Sequence, residues 1–371
     1  MRPTPASLVL APLLLASFAA LAGEQLLAGA IEAVAELPIN PGHLAVTESG
    51  RVFATVHPFR RAGAQLIEVT GPKNYQPWPN PAWNGAFGSG PEVLNSALGI
   101  RIDDQERLWV LDNGLGDAAH QPDQPPKLLA FALADGSLVF RYDFPTETAP
   151  AGSFLNDLAV DAERGFVYIS DPGGRHEPAL VTLDLERRLS RRFSASPPLQ
   201  AEDLDLVVAG RVVKGGGEAG KVNPARLAVN PISLSADGET LYFGAMRGKD
   251  WYQVPARLLR GGADDATVAA AIVRVGPKPL SDGAATDAAG NHYFTDMGHN
   301  AIGILGPDGN LENLVVDDRL DWPDALDFGE PDWLYIAVNQ LHRSPPLNGG
   351  VEAAKPPFRI MRVYTGSEGE D

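Results

Sequence analysis

Ten oxygen-bearing side chains recur at two steps of this 371-residue sequence, just before and just after short alternating segments. Asn156, Asp157, Asn230, Asp282 and Asp324 precede one alternating segment, and Asp112, Asn113, Asp171, Asp296 and Asn339 follow the next. Carboxylate and amide oxygens in such number suit a hard divalent cation, or a small organic molecule with several hydrogen-bonding groups. Asp and Asn are also turn residues, because their side chains satisfy nearby backbone N–H groups. Each single position is therefore expected to serve a turn, while the convergence of many marks a binding mouth. The expected lining set is Asp112, Asn156, Asp171, Asn230, Asp282, Asp296 and Asn339. No side chain stands out as a catalytic group.

The elements that must position these residues are six hairpins. Each joins a short alternating strand to a β-branched or aromatic strand through a turn, and most of the turns carry Asp or Gly. They begin at Gly42, Leu98, Asn156, Asn230, Ser281 and Trp322, and their second strands run through Val52–Val56, Leu108–Leu111, Phe166–Ser170, Thr240–Phe243, His292–Thr295 and Trp333–Ala337. Outer strands follow at Leu180–Leu185 and Ala301–Leu305. The pattern predicts an all-β fold, a six-bladed β-propeller, with Ile31–Leu37 and Phe358–Tyr364 closing the ring and one helical turn near Pro255–Arg260. In a four-stranded antiparallel blade, the loop leading into the innermost strand and the loop leaving the second strand open on one face. That geometry brings the Asp and Asn positions together at one channel mouth, which the long loops at 60–95 and 200–228 are placed to cover. Trp78 and Trp83 are the expected lid residues. Trp109, Tyr168, Tyr242, Tyr293, Trp333 and Tyr335 recur on second strands, as packing between neighbouring blades requires.

Other chemistries lack their residues. Without cysteine there is no disulfide, thiolate metal site or cysteine nucleophile. No G-x-S-x-G elbow or H-E-x-x-H helix occurs. Gly215–Lys221 opens like a phosphate-binding loop, but Val222 stands where Ser or Thr would hold Mg²⁺, so it reads as an inter-blade loop. Of seven scattered histidines, His299 and His342 follow second strands and could reach the channel, while His292 lies within a strand and is expected to pack. The net charge of −17 disfavours nucleic acid and anionic lipid as partners and favours a small neutral or cationic ligand.

The first 22 residues read as a signal peptide. Arg2 supplies the positive end, Leu8–Leu21 an apolar stretch too short to span a bilayer, and Ala20-Leu21-Ala22 a cleavage site. The expected mature chain is a single domain, 23–371, secreted or periplasmic, with no membrane association after cleavage.

The motifs Asn156-Asp157-Leu158-Ala159-Val160-Asp161 with Tyr168-Ile169-Ser170-Asp171, Ser281-Asp282-Gly283 with Tyr293-Phe294-Thr295-Asp296, and Ala337–Arg343 resemble bacterial members of the yellow/major royal jelly protein family. The likeness spans roughly residues 36 to 365. It implies a secreted six-bladed propeller that binds a small organic molecule, such as an aromatic amine, in its central channel; dopachrome-tautomerase-like activity is a further implication of the family name. Insect members commonly carry disulfides, and this chain departs from them in having no cysteine. A more distant resemblance is to regucalcin/gluconolactonase-type lactonases, whose divalent cation rests on a first-blade Glu, two Asn and one Asp. Asn156, Asn230 and Asp282 fall at the matching positions, which implies a Ca²⁺ site and a metal-assisted lactone hydrolase. The first-blade Glu is absent, since the matching stretch is Asn40-Pro41-Gly42-His43. A protein-interaction platform is the non-enzymatic alternative.

Overall fold

The computed structural model describes residues 26–369, apart from 61–62, 87–88, 91, 116–123, 174–175, 195, 216–222 and 225–226. The proposed signal peptide and most of the Gly215–Lys221 loop lie outside the described residues. Six four-stranded antiparallel sheets follow one another in chain order. Their innermost strands are Pro41–Val46, Ala97–Ile102, Leu158–Asp161, Val229–Leu234, Ala284–Thr286 and Pro323–Phe328, blades 1 to 6. Each pairs with the second strand read from the sequence. Ile31–Leu37 supplies the outermost strand of blade 6 by pairing with Phe358–Tyr364, so the two ends of the chain close the ring as expected. Of two short helices, Ala256–Arg260 was legible; Asp265–Ala270, capped by the Asp264 side chain on the Thr267 N–H at 2.7 Å, was not.

The alternating patterns bury one face of each sheet against the next blade. Trp109, Tyr168, Tyr293 and Tyr335 are fully buried between blades, as their recurrence predicts. Their polar tips need partners, and an acid from the preceding hairpin turn or inner strand commonly supplies one. Trp109 Nε1 donates to Asp103 Oδ2 at 2.7 Å, Tyr293 OH to Asp287 Oδ2 at 3.0 Å, and Tyr335 OH to Glu330 Oε2 at 2.6 Å. Trp78 and Trp83 are not a lid. Trp78 packs edge-on against Phe53 and Phe131, and Trp83 against Phe131, because the apolar seam between blades 1 and 2 offers more burial than the channel mouth.

One irregularity repeats. The inner strands of blades 1, 2, 4 and 6 slip register against their second strands within the same three-residue step, between Pro41 and Leu44, Ala97 and Ile100, Val229 and Ile232, and Pro323 and Leu326. A bulge releases two residues from the ladder and re-aims their side chains. By register the first position of this step is Gly42, Leu98, Asn156, Asn230, Asp282 and Asp324 around the ring, blades 3 and 5 carrying the step without a bulge, and the second position includes His43 and Asp157. Hydroxyls latch this step to the next blade: Thr55 Oγ1 donates to the Leu98 carbonyl at 2.8 Å and Ser170 Oγ to the Asn230 carbonyl at 2.7 Å. At Gly99 a Cβ would come within 2.5 Å of the Asn156 carbonyl oxygen, so the tight approach of neighbouring blades requires glycine there.

Candidate functional site

The residues at this step in blades 3 to 6 form a buried polar arc at the lead-in end of the channel. Asn230 Nδ2 donates to Asp282 Oδ1 at 2.6 Å, and Trp322 Nε1 donates to Asp282 Oδ2 at 2.7 Å. Asn339 Nδ2 donates to Asp324 Oδ2. Both amide oxygens, Asn230 Oδ1 and Asn339 Oδ1, are buried without a hydrogen-bond partner among the described residues. Trp322 holds its position from a left-handed backbone, φ 64°, which a bulky residue rarely adopts and which functional sites tend to retain. Its ring stacks on His342 with centroids 5.8 Å apart.

Burial sets the protonation of the arc. It pushes the Asp282 carboxyl up to about 7, against the hydrogen bonds from Trp322 and Asn230. Asp157 is raised to about 6 by burial, partly offset by the Arg101 guanidinium. Asp324 is raised by burial and by the neighbouring Asp282. His43 Nδ1 lies 3.5 Å from Asp157 Oδ1, yet burial and then Arg101 lower His43 to about 3. His57 falls to about 3 through burial, with His43 and Arg60 adding to the effect. The arc thus offers carboxyls raised toward neutrality and two amide acceptors unpaired among the described residues, with the neutral His43 imidazole of blade 1 beside Asp157.

The sequence-derived lining set divides in two. Asn230, Asp282 and Asn339 belong to the arc, and Asn156 shares their register step. The other three carboxylates spend their oxygens on structure. Asp112 pairs with buried Lys127 at 2.7 Å and accepts the Asn95 and Gly114 N–H groups. Asp171 pairs with Arg192 at 2.6 Å and accepts the Phe154 and Gly173 N–H groups. Asp296 accepts the Gly298 N–H and meets exposed His299 at 2.8 Å. Sequence reasoning passed over His43, His57, Trp322 and Arg101. The Asn40–His43 stretch held a signal, because His43 occupies the released step where the lactonase comparison looked only for Glu.

A hard cation meets suitable donors here, since amide and carboxylate oxygens dominate and Asp324 adds a second carboxylate beside Asp282. Both Asp282 oxygens are already hydrogen-bonded, however, and among the described residues no group of three or more His, Asp or Glu side chains converges to hold a metal. A cation at Asn156, Asn230 and Asp282 would share the Asp282 oxygens with the Asn230 and Trp322 donors.

The channel is barred below the arc. Arg101 reaches from blade 2 to the Leu326 carbonyl and Asp327 Oδ1 of blade 6, at 2.9 and 2.7 Å, and to the Leu158 carbonyl of blade 3 at 3.3 Å. Asp327 Oδ2 in turn accepts the Val46 N–H of blade 1 at 2.8 Å. Beyond this bar, on the hairpin-turn face, an axial cavity of about 780 Å³ is lined by the inner-strand ends of all six blades. The arc itself is roofed by apolar side chains. Phe59, Met246, Met297 and Leu341 follow the second strands of blades 1, 4, 5 and 6, and they cluster with Trp322, Leu206, Val208 and Val213.

A family model described as "Major royal jelly protein" matches residues 95–363, well over half of the sequence. The chain belongs to the major royal jelly protein family. Among curated relatives, the yellow protein of Drosophila subobscura is 29% identical over 241 residues, and that of Drosophila melanogaster 27% identical over the same length. These alignments take in 60% of this chain but only 40% and 42% of the relatives, so the chain matches about two-fifths of their length. Solved structures of similar shape include a gluconolactonase from Xanthomonas campestris, with a TM-score of 0.54 at 15% identity, covering 90% of this chain and 89% of that one. A luciferin-regenerating enzyme gives a TM-score of 0.53 at 13% identity, covering 92% and 97%. At such identities the likeness is one of fold.

Proposed function

We propose that this family member is an exported propeller that binds a small organic molecule at the lead-in end of its channel. The polar end of the ligand meets Asn230, Asp282, Asp324 and Asn339, and its apolar body lies against Trp322, Met246 and Met297. The observation that carries this reading is the pair of buried, unpartnered acceptors, Asn230 Oδ1 and Asn339 Oδ1. A buried acceptor with no donor costs on the order of 1–3 kcal/mol, so a ligand that brings N–H or O–H groups to it recovers that cost. Carboxyls close to neutral, beside them, favour an amine over an acid: an ammonium group stabilises the ionised form, whereas a ligand carboxylate adds a like charge. The signal-like first 22 residues and the acidic composition support export and a cationic or neutral ligand.

The test is calorimetric titration with one aromatic skeleton carrying an alkylamine, the matching alcohol or the matching carboxylate. Binding in the order amine, alcohol, carboxylate is expected, with Asn230→Ala weakening the amine about tenfold, or roughly 1.4 kcal/mol. Strongest binding by the carboxylate, or an unchanged affinity in the variant, contradicts the assignment.

A further inference from the structure

If the arc is a ligand site, the structure has to provide a way in, and Arg101 lies across the path from the wide cavity on the opposite face. The Arg101 guanidinium stands between that cavity and the arc, tied to blades 3 and 6. On the lead-in face, one small element among the described residues contributes three buried side chains to the cover. Val207–Val208 pairs with Arg211–Val212 around Ala209 and Gly210, both at positive φ, 50° and 73°, which is a tight two-residue hairpin turn. Val207 and Val212 point to solvent, while Leu206, Val208 and Val213 are buried against the roof.

The way this hairpin is held distinguishes it from every blade. Among the described residues, the backbone groups of 205–213 hydrogen-bond only within the hairpin, as in Val213 N–H to the Leu206 carbonyl at 2.8 Å. Its anchors to the body lie outside it, where Glu202 N–H meets the Arg247 carbonyl at 2.7 Å and Lys214 bridges to Asn348. Three apolar side chains between two fixed ends are what dock it. An element with few buried contacts and no ladder to its surroundings opens at a much lower free energy than the sheets beneath.

We propose that residues 206–213 form a lid, which swings off the roof to admit ligand to the polar arc and closes over it. Resting on the ligand-site reading above, this assigns the route of access and makes the hairpin the element that sets the rate of binding and release. When the lid lifts, Met246 and Met297 are uncovered and Trp322 is reached from the lead-in face.

Two of the methionines lie under the hairpin and a third provides an internal reference. Met246, Met297 and Met361 are all buried, but Met361 sits between blades in the sheet core rather than under the hairpin. Hydrogen peroxide transfers one oxygen atom to a thioether sulfur and leaves water, giving the sulfoxide, at a rate set by exposure. The experiment treats the ligand-free full chain with dilute peroxide and follows each methionine by peptide mass spectrometry. Met246 and Met297 are expected to oxidise with a shared time course at least tenfold faster than Met361. Val208→Ala, which trims one anchor, is expected to speed both several-fold further and leave Met361 unchanged. Equal, slow oxidation of all three overturns the proposal, as does a variant in which all three accelerate together, because the hairpin is then part of the global fold. Since no ligand is present, a failed lid leaves the amine titration to decide the ligand-site reading, and a failed titration leaves the lid measurement intact.

Discussion

Lys278, which follows the outermost strand of blade 4, provides a direct test of how burial governs charge in this fold. Its stem threads the notch left by Gly244, where a Cβ would stand 2.6 Å from Lys278 Cε, and its Nζ donates to the Pro279 carbonyl at 3.0 Å and to Ser281 Oγ at 3.2 Å. These contacts pin the segment leading into Asp282 from behind. Burial lowers Lys278 from 10.5 to about 7, against the raising influence of Glu202, Asp250 and Asp296. Between about pH 7 and 10.5 the unfolded chain holds this proton and the folded chain does not. Stability therefore rises with pH across that window, and is flat in this contribution below it. One unit of pKa corresponds to about 1.4 kcal/mol, so the wild type should gain roughly 2 kcal/mol between pH 7 and 9 through this group alone. Lys278→Met keeps the length and apolar volume of the stem but cannot titrate, and it loses two hydrogen bonds at every pH. Urea unfolding of both proteins at pH 6, 7, 8 and 9 isolates the effect. The expected result is a difference that moves in favour of the wild type by roughly 2 kcal/mol from pH 7 to 9 and changes little from 6 to 7. A difference independent of pH would show that the amine keeps its proton inside the fold, and the argument from desolvation would fail with it.

Two further outcomes follow from the lead-in step. At Gly283 a Cβ would overlap the carbonyl oxygen of Asp324 in the next blade, so Gly283→Ala is expected to cost about 1–3 kcal/mol in urea unfolding; an unchanged midpoint would mean that blades 5 and 6 are not in close approach there. For Ca²⁺, both Asp282 oxygens are engaged by Asn230 and Trp322, and calorimetry on chelator-treated protein is expected to show no saturable binding tighter than about 0.1 mM. A micromolar isotherm that disappears in Asp282→Ala would overturn this and place a cation in the arc.

The blades were legible because their signals are local. Alternation, the turn residues between strands and the recurring aromatics of second strands fix each hairpin within about a dozen residues, and even the closing pair, Ile31–Leu37 with Phe358–Tyr364, stood out as strand-like segments left over at the two ends. Which oxygen served what was not legible. Asp112 and Asp282 look alike beside a hairpin, but Asp112 meets Lys127, a residue of its own blade's third strand, while Asp282 meets Asn230 and Trp322 from the two neighbouring blades. The Arg101 bar joins residues 226 positions apart and has no local signature. The roof was foreseen only as a long loop; its register and its three anchoring side chains depend on exit residues from four blades.

The distribution of chemistry follows from the step that the fold leaves free. A propeller needs its inner strands to approach the axis, and a bulge at the lead-in of blades 1, 2, 4 and 6 releases two side chains from the ladder at that narrowest place, a step that blades 3 and 5 share by position. In blades 1 and 2 the first residue of the step is Gly42 or Leu98; in blades 3 to 6 it is Asn156, Asn230, Asp282 and Asp324. The ring is consequently two-sided, with a polar arc facing a smaller apolar one, and a ligand bound across it has only one favourable orientation. The apolar roof reinforces that choice by covering the polar arc with Trp322 and its neighbours, which excludes water and strengthens each hydrogen bond beneath. The same burial keeps Asp282 and Asp324 well above the ordinary carboxylate range. On the proposed function, selectivity for a donor-bearing, partly apolar molecule arises from burial as much as from the identity of any one residue, and a substitution that merely admits water through the roof should weaken binding without touching a ligand contact.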